Sequence, residues 1–316
     1  MYTPTDRMSE LVEQRYDLLR ILSCFNFALG FGDKSIRQVC HEQQVDVNTF
    51  LAVVNMGESY NAQLIENISV GELIKYLKNA HTYFLDFSLP MLRRKLSEAV
   101  TSAVENTVSL MILRYFDAYT EEVKRHMEYE EQHVFPHVEA LLKGEQVDYS
   151  IEEFAHQHRA SDDHHVIARI TELKNILIKY YPSNSYNELL YSVLFDLFTY
   201  QRDLATHCRL EDDLFVPAVR MLMGGYVEHS VEDTHSAEAR DVLSTRERDV
   251  IIGVVKGMTN KEIADSLYLS VHTVTTHRKN IARKLQIHSA AGLTIYAIVN
   301  KLVALSDLPD IYTNKI

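Results

Sequence analysis

Between residues 72 and 223 the chain runs through four long stretches of helical apolar spacing with little to interrupt them. They fall at about 72–98, 101–143, 150–181 and 186–223, broken by Gly144, by the Pro182-bearing segment 181–185 and by Gly224-Gly225. Glycine and proline number 10 and 6 in 316 residues, too few for the turns that many short strands require. Long helices joined by short loops pack side by side in alternating directions. The pattern predicts an all-α fold centred on an up-down four-helix bundle. Helical spacing over 8–22, 34–41 and 48–55 predicts a small helical unit at 1–56. Residues 224–242 are polar, acidic and non-periodic and are expected to be a linker before a last helical module at 243–303.

Two bundle stretches carry the same motif, His126-x-x-x-Glu130 and His207-x-x-x-Glu211. Residues four apart share a helix face, so each pair aims an imidazole and a carboxylate at one place. The second stretch continues with His133 and His137, the third opens with Phe154-Ala-His-Gln-His158, and the first holds His81. Every bundle helix therefore offers a ligand. Imidazole suits iron, zinc and copper, and carboxylates suit harder cations and can bridge two of them. Four or more His with two Glu exceed the four ligands of a closed zinc site. The set suits two bridged ions with an open position. A lone His-x-x-x-Glu would more simply be a solvated helix stripe; two copies on neighbouring helices make that alternative poor.

Residues 72–223 resemble the hemerythrin-like HHE domain, in particular that of the RIC (repair of iron centres) family. The resemblance rests on His126-Met-Glu-Tyr-Glu-Glu-Gln-His-Val-Phe-Pro136, on His207-Cys-Arg-Leu-Glu-Asp-Asp-Leu-Phe-Val-Pro217, on the His-Gln-His158 stretch and on His81, nine residues before Pro90. It implies a non-haem di-iron centre, with manganese suited to the same donors. His81, His126, His158 and His207 would be terminal ligands, with Glu130 and Glu211 as bridges. His133 stands where the family has an apolar residue; a further ligand, a supporting donor and a surface histidine are all open readings. The N-terminal unit resembles the short domain preceding that bundle, through 11–20, Asn26-Phe-Ala-Leu-Gly and 34–40. The family's vicinal cysteines are replaced here by Ala28-Leu29, which weakens a repair role because such a thiol pair would handle iron or electrons.

The C-terminal module opens with Leu-Ser-Thr-Arg-Glu-Arg (243–248) and continues through Gly-Met-Thr-Asn-Lys-Glu-Ile-Ala (257–264), Leu-Tyr-Leu-Ser (267–270) and His-Arg-Lys-Asn-Ile (277–281). Ser244 or Thr245, Asn260 and Ser270 are the expected helix caps. The segment resembles the LuxR-type helix-turn-helix over its full length, which implies double-stranded DNA as partner. Helix 271–285 would enter the major groove. Thr275, Thr276 and Lys279 would reach base edges, while Thr273, Arg278, Lys261 and Lys284 would hold phosphates. The final helix is the expected homodimer face, since one such module buries little surface on its own. Charge agrees: nine basic and four acidic residues give 243–303 a net +5 in a chain of net −12, leaving −17 elsewhere. One small module is polarised to attract phosphate.

No apolar run approaches a membrane span, the first residues lack a signal-peptide layout, and Cys24, Cys40 and Cys208 are too scattered for a disulfide framework, so a cytoplasmic protein is expected. Residues 1–223 lack the strand-helix alternation of a phosphoacceptor domain. The combination points to a non-enzymatic transcription regulator that senses oxygen, nitric oxide or redox state. The alternative is an iron-repair or diatomic-handling protein with accessory DNA binding.

Overall fold

The computed structural model describes residues 1–56, 67–101, 106–145, 151, 163–181, 186–223 and 243–303. Every regular element among them is helical, and none is long and apolar enough to cross a membrane. The chain divides into two compact units, each assembled from separated stretches. One comprises 1–90, 123–164 and 202–231; the other comprises 91–122, 165–201 and 232–316. The proposed linker at 224–242 lies outside the described residues.

The first unit begins with four short helices, α1 (Met8–Gln14), α2 (Leu19–Cys24), α3 (Ile36–Glu42) and α4 (Val47–Val54). Ser35 and Gln38 form a capping box on α3, and Asp46 caps α4, satisfying amide groups that a helix start leaves without partners. These helices pack on α5 (Val70–Thr82). Phe25 lies 4.7 Å from the ring of Tyr76, Asn79 donates to the Cys24 carbonyl at 2.8 Å, and the Ser69 amide donates to Thr49 Oγ1 at 2.8 Å. Cys24 and Cys40 are buried free thiols, and burial pushes both up to about 12. They are apolar filling rather than nucleophiles.

The long helices owe their course to buried stripes. Helix α7 (Asn106–Tyr129) buries Ile112, Phe116, Tyr119, Val123 and Met127, and α10 (Glu188–Leu210) buries Val193, Leu197, Tyr200 and Leu204. Both follow the three-to-four spacing of one helix face. The stripe of α10 continues without a break through His207 to Glu211, so the same periodicity that buries the apolar side chains carries the polar ones inside.

Three helices then widen. The segments Tyr83–Ser88, Glu130–Val134 and Glu211–Phe215 are π-helical, and each precedes a proline: Pro90 in α6 (Leu89–Thr101), Pro136 in α8 (Phe135–Leu142) and Pro217 in α11 (Val216–Leu222). Proline has no amide proton and its ring collides with the carbonyl four residues back. Those carbonyls belong to Asp86, Gln132 and Asp213, each inside its widened turn. The π-turn makes the room.

The second unit includes α9 (Asp163–Asn175), the π-turn Ile176–Tyr180 and the C-terminal helices α12 (Thr245–Val255), α13 (Asn260–Leu267), α14 (Val271–Leu285) and α15 (Ala290–Val299). Ser244 and Ser270 cap α12 and α14 as the sequence suggests. The cap of α13 is Thr259 rather than Asn260, because Thr259 closes a capping box with Glu262. Helices α12 and α13 meet at Gly253, where an added Cβ would lie 2.7 Å from Ile263 Cγ1. Gly253→Ala should therefore overpack this contact and destabilise the module by about 1–3 kcal/mol. The check is thermal denaturation, and an unshifted midpoint would show that the contact is not tight.

Candidate metal centre and nucleic-acid interface

Helix α5 places His81 in its last turn; α7 supplies His126, with Glu130 opening the π-turn that follows; α10 supplies His207, with Glu211 opening the next π-turn. One ligand atom from each of His81, Glu130, His207 and Glu211 lies within 4.8 Å of all the others. All four are sealed from water: His81 and Glu130 are 0% exposed, Glu211 1% and His207 4%. His81 Nε2 is 3.2 Å from Glu130 Oε2, His126 Nε2 is 3.4 Å from Glu130 Oε1, and His207 Nε2 is 3.1 Å from Glu211 Oε1. His126 stands beside the cluster through Glu130. His158 lies outside the described residues.

Aromatic rings wall the cluster. Phe135 stacks on His81 at 5.6 Å, Phe84 meets His207 edge-on at 5.6 Å, and Phe215 meets Phe135 at 5.7 Å. Two carboxylates in an apolar pocket need compensating charge, since burial alone disfavours ionisation. Here imidazoles supply it. Burial opposes a charge on His81, but contacts with Glu130 and then Glu131 outweigh it and raise the ring to about 9. The His81 hydrogen bond in turn holds Glu131 below its usual range, against burial. A cation at the centre would replace these protons. Buried Nε2 atoms and carboxylate oxygens converging from three helices form a donor set that fits a metal, and neither ring nitrogen of His207 makes a hydrogen bond among the described residues.

Glu131 is a member of the site that sequence reasoning missed. Its Oε1 lies 3.0 Å from His81 Nδ1. Accepting the Nδ1 proton fixes the tautomer that leaves the Nε2 lone pair facing the cluster. The signal was present as Glu130-Glu131, but equal helical spacing aims neighbours apart. The π-turn and the position of α5 bring Glu131 to the outer nitrogen of His81.

His133 takes the surface reading. It is exposed, and its ring stacks on Tyr129 at 4.8 Å. On a regular helix His126, Glu130, His133 and His137 would share one stripe. The π-turn at 130–134 shifts everything after Glu130 around the axis. Ala28 is fixed by Gln43 through a 2.7 Å bond to its amide, and Leu29 is 72% exposed.

In the C-terminal module, Thr276 and Lys279 are exposed on α14, and Lys261 is exposed on α13. Thr275 and Thr276 bond back to the Val271 and His272 carbonyls. Thr273 bonds the Ser270 cap hydroxyl. Arg278 donates to Asn260 Oδ1 at 3.1 Å and so ties α14 to α13. Lys284, expected on phosphate, is engaged within the module. It donates at 2.9 Å to Glu247 Oε2 with 13% of its side chain exposed. Burial raises the Glu247 carboxyl, but the Ser244 amide and Lys284 hold it below its usual range. Lys284 thus braces the capping box of α12. Tyr268, left-handed at φ 55° and 96% exposed beside the start of α14, was not foreseen.

Comparison with known proteins fits both halves. Residues 72–219 match the family model of the hemerythrin HHE cation binding domain, and residues 241–297 match that of the bacterial regulatory proteins of the luxR family. Among curated proteins, the chain is 39% identical over 98 residues to the transcriptional regulatory protein MctR of Rhizobium johnstonii, covering 29% of this chain and 46% of that one. It is 36% identical over 105 residues to the Fimbriae Z protein of Escherichia coli K12, covering 30% and 50%. It is 37% identical over 83 residues to the oxygen regulatory protein NreC of Staphylococcus aureus, covering 26% and 38%. The chain spans at most about half the length of these relatives. No solved structure matches it. The RIC subtype has no separate support among these matches. The chain carries a hemerythrin HHE cation binding domain followed by a regulatory domain of the bacterial luxR family.

Proposed function

We propose that the protein is a DNA-binding transcription regulator whose signal is received at a non-haem di-iron centre. The observation that carries the reading is the buried pair Glu130 and Glu211 facing His81 and His207, on a chain that also exposes Thr276 and Lys279 on a groove-sized helix. His126 and, by resemblance, His158 would complete the ligands. Iron held there would supply a reversible redox couple and an open position for oxygen or nitric oxide. The chain's own residues set the conditions. Glu131 fixes the His81 tautomer, and Phe84, Phe135 and Phe215 keep bulk water from the ligands. Glu130 and Glu211 provide the two negative charges that favour a pair of cations over one.

In the C-terminal module, Thr275, Thr276 and Lys279 are the proposed readers of base edges, with Thr273, Arg278 and Lys261 on phosphates. The net +5 of 243–303 supports electrostatic attraction to DNA. Binding to a two-fold operator as a dimer would double the contacts of a small module. Sensing requires that the signal favour one of two protein states and that those states differ in DNA affinity. The names of the relatives, transcriptional and oxygen regulatory proteins, agree with a regulator.

Three measurements test this. Glu130→Ala or Glu211→Ala should lower bound iron from about two per chain, read by metal analysis of anaerobically purified protein, and Glu131→Gln should weaken iron against a competing chelator by about 10–100-fold. Undiminished iron in all three variants would dismiss the centre. Lys279→Ala should cost about 1–3 kcal/mol at one operator base pair; operator discrimination equal to the parent's would remove Lys279 from the reading set. Gel shifts of reduced anaerobic protein, repeated after nitric oxide or air, should differ in affinity. Equal affinity in every state would leave a DNA-binding protein without a sensor.

A further inference from the structure

None of the side chains around the cleft between the N-terminal segment and the end of α10 belongs to the proposed metal set. Four of them are arginines: Arg15 and Arg20 from the N-terminal segment, Arg202 and Arg209 from α10. Asp17 and Asp203 are the carboxylates that face them, which leaves a surplus of two positive charges in a chain of net −12. The floor is apolar, with Ile21, Val54 and Tyr76 all buried. A dry floor strengthens every charged contact made above it.

The two carboxylates do not use up the guanidinium donors. Arg15 is well paired, its Nη2 donating to Asp17 Oδ2 at 2.7 Å, and this bond is the main cause that holds the Asp17 carboxyl below its usual range. Arg202 reaches Asp203 only at 3.4 Å, and Arg20 Nε stands 3.9 Å from the same carboxylate. Well-made bonds between such charges close to about 2.7–2.9 Å. Burial accordingly raises the Asp203 carboxyl although both arginines oppose it. Arg20 Nε is buried and finds no hydrogen-bond acceptor among the described residues. Its guanidinium carbon lies 3.1 Å from the centre of the Tyr83 ring, a contact that fixes the group and leaves N–H donors for a partner. Arg209 is exposed, with no ion pair among the described residues.

The opening measures about 80 Å³, room for roughly five water-sized atoms, which matches one phosphorus with its oxygens. We propose that this cleft binds a phosphate group in its dianionic form, with Arg20, Arg202 and Arg209 as the principal donors and Asp17 as an internal competitor for Arg15. The two charges of the ligand meet the two that the arginines leave over. Planar guanidinium forks match phosphate oxygens in pairs, which a lysine could not do. Arg209 lies between His207 and Glu211 in sequence, and helix positions two apart face different ways. One turn of α10 would thus carry a phosphate on one side and metal ligands on another. The site depends neither on the DNA-binding reading nor on a filled metal centre.

The test titrates the full chain with inorganic phosphate and, separately, with adenosine monophosphate, at about pH 8, where a phosphate group carries nearly two charges, with chloride balancing the ionic strength. Calorimetry should show saturable binding, and the thermal midpoint should rise with ligand. Arg202→Gln and Arg209→Gln should each weaken the affinity about 10–150-fold, the loss of one hydrogen bond between charged groups. Asp17→Asn should act the other way and tighten binding several-fold, because it frees Arg15 for the ligand. A network with only a structural part to play would lose stability in all three variants and bind nothing. Tighter binding of the nucleotide assigns the site to an esterified phosphate, and equal or weaker binding assigns it to the free ion; the proposal stands in either case. No saturable heat with either probe, or an affinity unaltered in all three variants, would overturn it.

Discussion

Two acids that never meet solvent face each other inside the first unit, and much of the surrounding structure can be understood as the cost of holding them there. Glu130 and Glu211 repel one another, and apolar walls make each charge more expensive still. Imidazoles at 3.1–3.4 Å offset this, and so would cations. The same pressure explains why the outer nitrogen of His81 is tied to Glu131: an imidazole that must present a lone pair inward needs its proton held outside. A protein selected for stability alone would place leucines in such positions. Charge retained in so dry a place is the pattern that working sites share.

Much of the architecture is legible in the sequence because it depends on periodicity. The stripe of α10, from Val193 through Leu204, continues to His207 and Glu211 at unchanged spacing, so burial of the ligands follows from the same count that buries the core. The caps of α12 and α14 are equally local: Ser244 with Glu247 and Ser270 with Thr273 lie within one turn. The choice of Thr259 over Asn260 is a one-residue matter, settled by which side chain can reach Glu262.

What periodicity cannot supply is where the helix stops being regular and what meets it from elsewhere. His133 was misaligned because a uniform 3.6-residue turn was carried past Glu130, although Pro136 already signalled that the Gln132 carbonyl had to move aside. Lys284 is expected on phosphate from its place on the proposed reading helix; its partner in the structure, Glu247, lies 37 residues away and no local pattern announces it. Glu131 is a similar case: it stands within a legible motif, but the group it acts on, His81, lies 50 residues away.

The widened turns also limit how the protein can be altered. Removing a single residue from 130–134 would restore an ordinary ladder of hydrogen bonds, and by local criteria the helix would improve. Yet the residues of the turn itself would be re-aimed, because neighbours on a regular helix face about 100° apart, and Glu131 would leave the outer nitrogen of His81 that it reaches at 3.0 Å. Substitution of the exposed Gln132 or His133 is a mild perturbation there; a shortened chain is not. Homologous helices should vary in letters at those two positions while keeping their count.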